Sequence, residues 1–239
     1  VQTVKPPAQP QPVIPDEWLA ELSLLGDAMV RFRHLRPDDE PLISEAMKTA
    51  SRETLLHRFF SPIRCVPPEL LHQLLAINRA RETCVVGVVA NPETTRIVCG
   101  ARYVKLVKPA TAEIALTVHD DFQRRGLGTF MVRLLAQLAR AEGLRWFEAE
   151  VMASNDRMLH VFRKVAAGGF TTHWTGDNYH LVLDVQAIAR NGAGGEKSNV
   201  IPPVAGPRAA SRRQTSQLPQ SEQPRNQDVP PQPPPLPHA

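Results

Sequence analysis

A strand, a glycine turn and a long helix follow one another directly at residues 113–138, and no other stretch constrains the fold as much. Glu113 to Val118 is an apolar, β-prone run, and a short loop leads from it to Gln123-Arg124-Arg125-Gly126-Leu127-Gly128. An amphipathic helix then carries Phe130, Val132, Leu134, Leu135 and Leu138 on its apolar side. Such a turn presents unpaired backbone N–H groups at the positive end of a helix, which is a physical site for a pyrophosphate. Arg124 and Arg125 reinforce the preference for an anion. Gly126 and Gly128 let the backbone approach a ligand closely.

The remaining elements alternate irregularly. A helix is expected over Asp16–Leu25, with Asp16 as its cap, and a first strand over Ala28–Leu35. Helices follow at Pro37–Ala50, Arg52–Phe60 and from Pro67-Pro68 through Leu75. Strands are expected at Cys84–Ala90, Ile97–Leu106 and Glu113–Val118, with a turn at Asn91-Pro92-Glu93-Thr94. The glycine-turn helix stops near Gly143. A strand at Arg145–Met152, a helix from Ser154 or Asn155 to about Ala167, and strands at Phe170–Trp174 and Tyr179–Val185 complete the series. Strands, helices, a three-strand meander, then helix, strand, helix and strands predict an α/β chain with a mixed sheet, not a doubly wound one.

Composition sets the limits of that domain. The 23 prolines crowd residues 6–15 and the stretch after 201. Residues 1–26 therefore read as a Pro/Gln-rich extension with a short helix, 27–185 as one domain, and 186–239 as a disordered Pro/Gln/Arg-rich tail. The run Pro230–Pro237 favours polyproline II. No stretch of about 18 apolar residues exists, so no membrane partner is expected. The net charge of +4 suits a polyanionic ligand, but no nucleic-acid motif accompanies it and aromatic residues are only 5%. Nucleic acid is not expected as a partner. Cys65, Cys84 and Cys99 are odd in number and fit no metal spacing. They read as reduced, buried thiols, and the first residues carry no apolar signal core, which together predict a cytoplasmic protein.

The hexad Gln123–Gly128 resembles the acetyl-CoA-binding motif Q/R-x-x-G-x-G/A of the GNAT N-acetyltransferases. The strand before it, the helix after it, and Asn155-Asp156-Arg157-Met158 at the start of a later helix strengthen the likeness, which runs over roughly 27–185. Within that family the chain is similar to bacterial Pat-type protein lysine acetyltransferases. The similarity lies in Thr54-Leu55-Leu56-His57-Arg58-Phe59-Phe60-Ser61, Gly100-Ala101-Arg102-Tyr103 and Ala112-Glu113-Ile114-Ala115. The resemblance implies a GNAT acyl-CoA N-acyltransferase fold, acetyl-CoA as co-substrate, no metal, and a protein acceptor with a reactive lysine, such as an acyl-CoA synthetase. In that fold the strand before the pyrophosphate loop splays from its neighbour, and the acyl-pantetheine arm lies in the gap.

Acetyl transfer to lysine needs the neutral amine, which at pH 7 lies about 4.6 kcal/mol above the ammonium form for an ordinary lysine. A base and desolvation must offset that difference. Glu113 is the candidate base: a carboxylate inside an otherwise apolar strand is costly to bury, and desolvation strengthens it as a proton acceptor. The Pat-type likeness implies the same role. An ordinary surface carboxylate is the competing reading, and His119 the competing base, although a loop histidine is more often solvated. Thr117 and Val118 would offer backbone groups to the pantetheine arm and the thioester. Gln123, Arg124, Arg125, Gly126, Leu127, Gly128 and Thr129 would hold the pyrophosphate. Asn155 is either a helix cap alone or a cap that also touches the CoA arm.

Many GNAT enzymes carry a tyrosine where this chain has Phe162, which has no proton to give to a leaving thiolate. Arg102 and Tyr103 are candidates for the acceptor side. His57, His72, His160 and His180 show no metal spacing. Two other functions share parts of this pattern. A small-amine N-acetyltransferase would use the same cofactor residues. A non-catalytic CoA-binding scaffold would have no use for Glu113.

Overall fold

The computed structural model describes residues 18–24, 28–90 and 94–191. Eight strands form one mixed sheet: β1 (Trp18–Ser23), β2 (Met29–His34), β3 (Glu82–Ala90), β4 (Thr95–Lys105), β5 (Thr111–Val118), β6 (Trp146–Met152), β7 (Phe170–Trp174) and β8 (Asn178–Asp184). Their spatial order is β1-β2-β3-β4-β5-β6-β8-β7. Every neighbouring pair is antiparallel except β5–β6, which is parallel.

Among the described residues, six α-helices complete the fold: α1 (Glu40–Thr49), α2 (Arg52–Phe59), α3 (Pro68–Leu75), α4 (Leu127–Ala141), α5 (Asp156–Ala166) and α6 (Val185–Asn191). The sheet divides the core in two. The larger cluster joins Phe32, Tyr103, Ile114 and Phe147 of the sheet to Phe130, Leu135, Phe162 and Ile188 of α4, α5 and α6. The smaller cluster joins Val86, Val88 and Ile97 to Ile43 of α1 and Leu71 of α3. Val85 packs in the first cluster and Val86 in the second, as the two-residue strand period requires.

The mixed sheet and the order of elements from residue 28 onward follow the sequence expectation. The helix expected over Asp16–Leu25 does not form: Trp18–Ser23 is β1, antiparallel to β2. Ala20 and Leu24 are buried while Ser23 is exposed, a pattern of two that serves a strand. The edge of β2 supplies the pairing, reinforced by Arg31 Nε donating to Glu21 Oε1 at 2.7 Å. Asp16 and Leu25, the ends of the expected helix, lie outside the described residues, as do the proline-rich extension, the residues after Asn191 and most of the Asn91–Thr94 turn.

Regular structure reaches past both limits of the expected 27–185 segment. β1 precedes it, and α6 follows it with Ile188 and Ala189 buried. Near β2, Arg33 and Asp39 form a two-pronged buried pair, both N–O distances being 2.7 Å. It ties β2 to the 3-10 turn Pro37–Asp39 that opens α1. No helix among the described residues is long and apolar enough to cross a membrane.

Candidate active site

The site is built around a split in the sheet. β5 and β6 pair only over Thr111–Glu113 and Trp146–Glu148. Beyond that point β5 stays with β4 up to Val118, while β6 stays with β8 up to Met152. The strands part, and one edge of β5 from Ile114 onward has no strand beside it. Glu113, Ala115 and Leu116 line the gap from one side, and Ala149 and Glu150 from the other.

Glu113 stands where the split begins, in register with Glu148. It is exposed, which departs from the buried carboxylate expected from its apolar neighbours. The apolar partners of its strand turn toward the core, so the strand itself does not desolvate Glu113. Glu148 is bound by Lys108 at 2.7 Å, and Glu150 by His180 at 2.6 Å. Glu113 makes no hydrogen bond or ion pair with any described residue. Its carboxylate is therefore available to a ligand.

At the other end of β5, Gly126 caps α4 at φ +85°, the left-handed region that favours glycine. A side chain there would meet nothing within 4 Å, so the backbone faces open space. Gly128 plays a different part: a Cβ at this position would come 3.3 Å from Val161 of α5. It lets two helices approach each other. A cavity of about 560 Å³ opens over this turn. It gathers Val118, Gln123, Arg124, Gly126, Leu127, Gly128, Thr129 and Asn155. These are all but two of the residues expected to hold a cofactor.

The two exceptions are placed elsewhere. Arg125 does not line this cavity; its guanidinium lies 5.3 Å from the centre of the Phe122 ring. Thr117 lines a separate small cavity between the sheet and α1, and its buried hydroxyl has no hydrogen-bond partner. The side chain of Gln123 is also engaged internally. It donates to Thr54 Oγ1 and to the Val118 carbonyl, both at 3.1 Å, and accepts from Arg157 at 2.7 Å.

Asp120 anchors α2 to the same turn. Its carboxylate accepts from the Ser51 N–H at 2.8 Å, the Ser51 hydroxyl at 2.7 Å and the Thr54 hydroxyl at 2.8 Å. Partial burial works against its ionised form, but these hydrogen bonds outweigh that and hold it below the usual carboxylate range. Asn155 caps α5, its Oδ1 accepting from the Met158 N–H at 3.1 Å, and it lines both the large cavity and the gap.

Phe162 is 1% exposed and lines the gap, so no tyrosine hydroxyl stands at that place. His119 is buried rather than solvated. Its Nε2 lies 3.1 Å from Thr49 Oγ1, and it faces the small cavity instead of the gap. Arg102 lines that small cavity too. Tyr103, its neighbour, points to the opposite face and is fully buried, donating to Glu142 at 2.7 Å. It is a core residue and not an acceptor contact. Burial raises the Cys84 thiol to about 11 and the Cys99 thiol to about 12, so neither is a nucleophile at neutral pH. Cys65 is exposed, not buried as expected.

Two residues of α2 escaped the sequence reading as site residues. His57 lines both the large cavity and the gap, and Arg58 lines both the gap and the small cavity. The signal was a basic pair in the last turn of a short helix, just before Phe60 at φ 55°.

Comparison with known proteins agrees with this geometry. The profile of the acetyltransferase (GNAT) family matches residues 49–167. An acetyltransferase of Pseudomonas aeruginosa is 29% identical over 143 residues, covering 60% of this chain and 76% of that protein. Acetyltransferase Pat of Mycolicibacterium smegmatis is 34% identical over 118 residues, covering 49% of this chain but only 34% of that longer protein. Among solved structures, the GNAT domain of S. lividans PAT superposes with a TM-score of 0.61 at 24% identity, covering 72% of this chain and 99% of that domain. Profile, relatives and fold agree: the chain belongs to the GNAT family of acetyltransferases.

Proposed function

We propose that this chain moves the acetyl group of acetyl-CoA directly onto a lysine amine of a protein acceptor, with Glu113 as general base. The observation that carries this reading is a shared wall. His57, Asn155 and Met158 line both the cavity over the glycine turn and the gap beside Glu113. A ligand with its pyrophosphate at Gly126 would run past these three residues toward Glu113. The similarity to acetyltransferase Pat favours a protein acceptor.

In this reading the backbone N–H groups of Arg124 to Thr129 hold the pyrophosphate, and the positive end of α4 supports its charge. The pantetheine arm lies along the open edge of β5. An N–H of that edge donates to the thioester oxygen as charge develops there. The acceptor lysine enters from the side of Glu113, covers that exposed carboxylate and so desolvates it. Glu113 then takes the amine proton, directly or through one water. The amine attacks the thioester carbon, its nitrogen gives its extra proton to water, the C–S bond breaks, and the thiolate leaves. Because Phe162 carries no proton, the thiolate takes one from water. Burial raises the thiols of Cys84 and Cys99, which argues against an acetyl-enzyme at either of them. The use of acetyl-CoA fits a cytoplasmic setting.

The test is acetyl transfer from labelled acetyl-CoA to a native-state proteome of the host, read by mass spectrometry, beside Glu113→Gln. Discrete acetyl-lysines that vanish in the variant support the reading. Unlabelled protein together with acetylated polyamines or amino acids would assign the chain to small amines instead.

A further inference from the structure

Two cavities meet at the last turn of α2, and Arg58 lines both. One is the gap beside Glu113. The other, about 80 Å³, lies between the sheet and α1 and α2, with Ile43, Met47 and Val86 among its walls. Arg58 is half-buried and makes no hydrogen bond or ion pair with any described residue. Its guanidinium stacks 5.4 Å from the Phe59 ring. Burial, then the neighbouring charge of Arg102, hold it below its ordinary range; Cys84 and Glu113 act the other way.

The same small cavity contains two buried donors without a partner. Arg102 pairs with Glu82 through Nη2, but its buried Nε has no partner. The buried hydroxyl of Thr117 has none either. Buried polar groups are almost always hydrogen-bonded, so each exception asks for an explanation. Here two fall on one cavity with otherwise largely apolar walls, the Arg102 Nε and the Thr117 hydroxyl, and the Arg58 guanidinium lines the same cavity. Guanidinium forks match a carboxylate in shape and charge. Because Arg58 also lines the gap, this anion site adjoins the proposed base. Neither Arg58 nor Arg102 lines the cavity over the glycine turn, so the ligand of this site is sought in the acceptor and not in the pyrophosphate.

We propose that Arg58 and Arg102 receive a carboxylate of the acceptor, the side chain of an Asp or Glu immediately beside the acceptor lysine, while the lysine amine meets Glu113. The inference rests on the protein-lysine reading and narrows it. It makes the chain selective for lysines with an acidic neighbour. The Thr117 hydroxyl supplies a third donor from the floor of the cavity. The apolar walls exclude water and strengthen the contact.

The test uses synthetic peptides of one sequence in which the residue beside the lysine is Glu or Gln. Their kcat/KM values are compared for the wild type, Arg58→Gln and Arg58→Lys. A charge-assisted hydrogen bond implies a preference of roughly 10- to 100-fold for the Glu peptide in the wild type. The preference should fall close to one in Arg58→Gln and recover in part in Arg58→Lys. Acetyl-CoA binding, measured on the same proteins, checks that the variants are folded. Should Arg58→Gln not fold, Thr117→Val and the wild-type peptide pair still decide. Equal turnover of both peptides by the wild type overturns the inference alone. Acetylation of small amines with both peptides untouched overturns the protein-lysine reading, and the inference with it.

Discussion

Gln123 donates its side-chain amide to the carbonyl of Val118 at 3.1 Å, fastening the glycine turn to the strand it leaves. The same side chain accepts from Arg157 of α5 at 2.7 Å. The motif glutamine thus shapes the site through other residues. Gln123→Ala should weaken acetyl-CoA binding by roughly 3- to 10-fold, because each lost hydrogen bond is worth about 1 kcal/mol. Titration calorimetry would read this directly. Affinity equal to wild type would mean that the turn holds its shape without the amide.

Glu113→Gln keeps the shape of the side chain and removes the proposed base. The expected result is a fall in kcat of about 100- to 1,000-fold, within the usual range for general base catalysis. Acetyl-CoA affinity should hardly change, since Glu113 lies in the gap and not over the glycine turn. Raising the pH toward that of a free lysine amine should narrow the difference. A deficit that stays constant up to pH 10 would assign Glu113 another role.

The two glycines of the turn should behave differently. Gly126→Ala meets no obstacle but must hold φ near +85°, which costs about 1–2 kcal/mol for a side-chain-bearing residue. Gly128→Ala has ordinary backbone angles but presses on Val161, 3.3 Å from its Cβ. Thermal unfolding should show a loss for Gly126→Ala that a glycine-like D-residue would restore. For Gly128→Ala, Val161→Ala should relieve the loss. Absence of that relief would place the strain elsewhere.

Asp39 sets one limit of acid stability. Burial opposes its ionised form, but the Arg33 fork, and then the Arg36 N–H at 2.8 Å, outweigh it and hold the carboxyl below its ordinary value. A depressed carboxylate contributes stability above the unfolded-state value of about 3.9, and loses it as pH falls through the lower folded-state value. Asp39→Ala should therefore destabilise at neutral pH by about 3–5 kcal/mol, the cost of leaving Arg33 buried without its main partner. The difference from wild type should shrink in denaturant titrations below about pH 4. A difference independent of pH would show that packing, not charge, dominates.

Local chemistry made much of this site legible. The Gly126 turn, the apolar face of α4 and the Asn155 cap depend on neighbours within a few residues, and each stands where expected. Features set by distant partners were harder to read. Trp18–Ser23 carries apolar residues that suit either period, and the free edge of β2 decides for a strand. Arg102 and Tyr103 fall on opposite faces, as strand parity demands, but only the packed helices determine which face meets the small cavity. The exposure of Glu113 follows from the parting of two strands that a linear reading cannot locate. His57 and Arg58 matter because α2 lies across that parting, held by Asp120 at a separation of 69 residues from Ser51.

A strand left with one bare edge invites mispairing. Among the described residues, the parallel contact of β5 with β6 ends after three residue pairs and leaves such an edge on β5. A pantetheine arm, with amides of its own, would occupy that edge as a substitute neighbour. At a hundredfold excess over its dissociation constant a ligand adds about 2.7 kcal/mol to the folded state. On the proposed reading, acetyl-CoA would therefore raise the unfolding temperature of this chain as well as serve as its co-substrate.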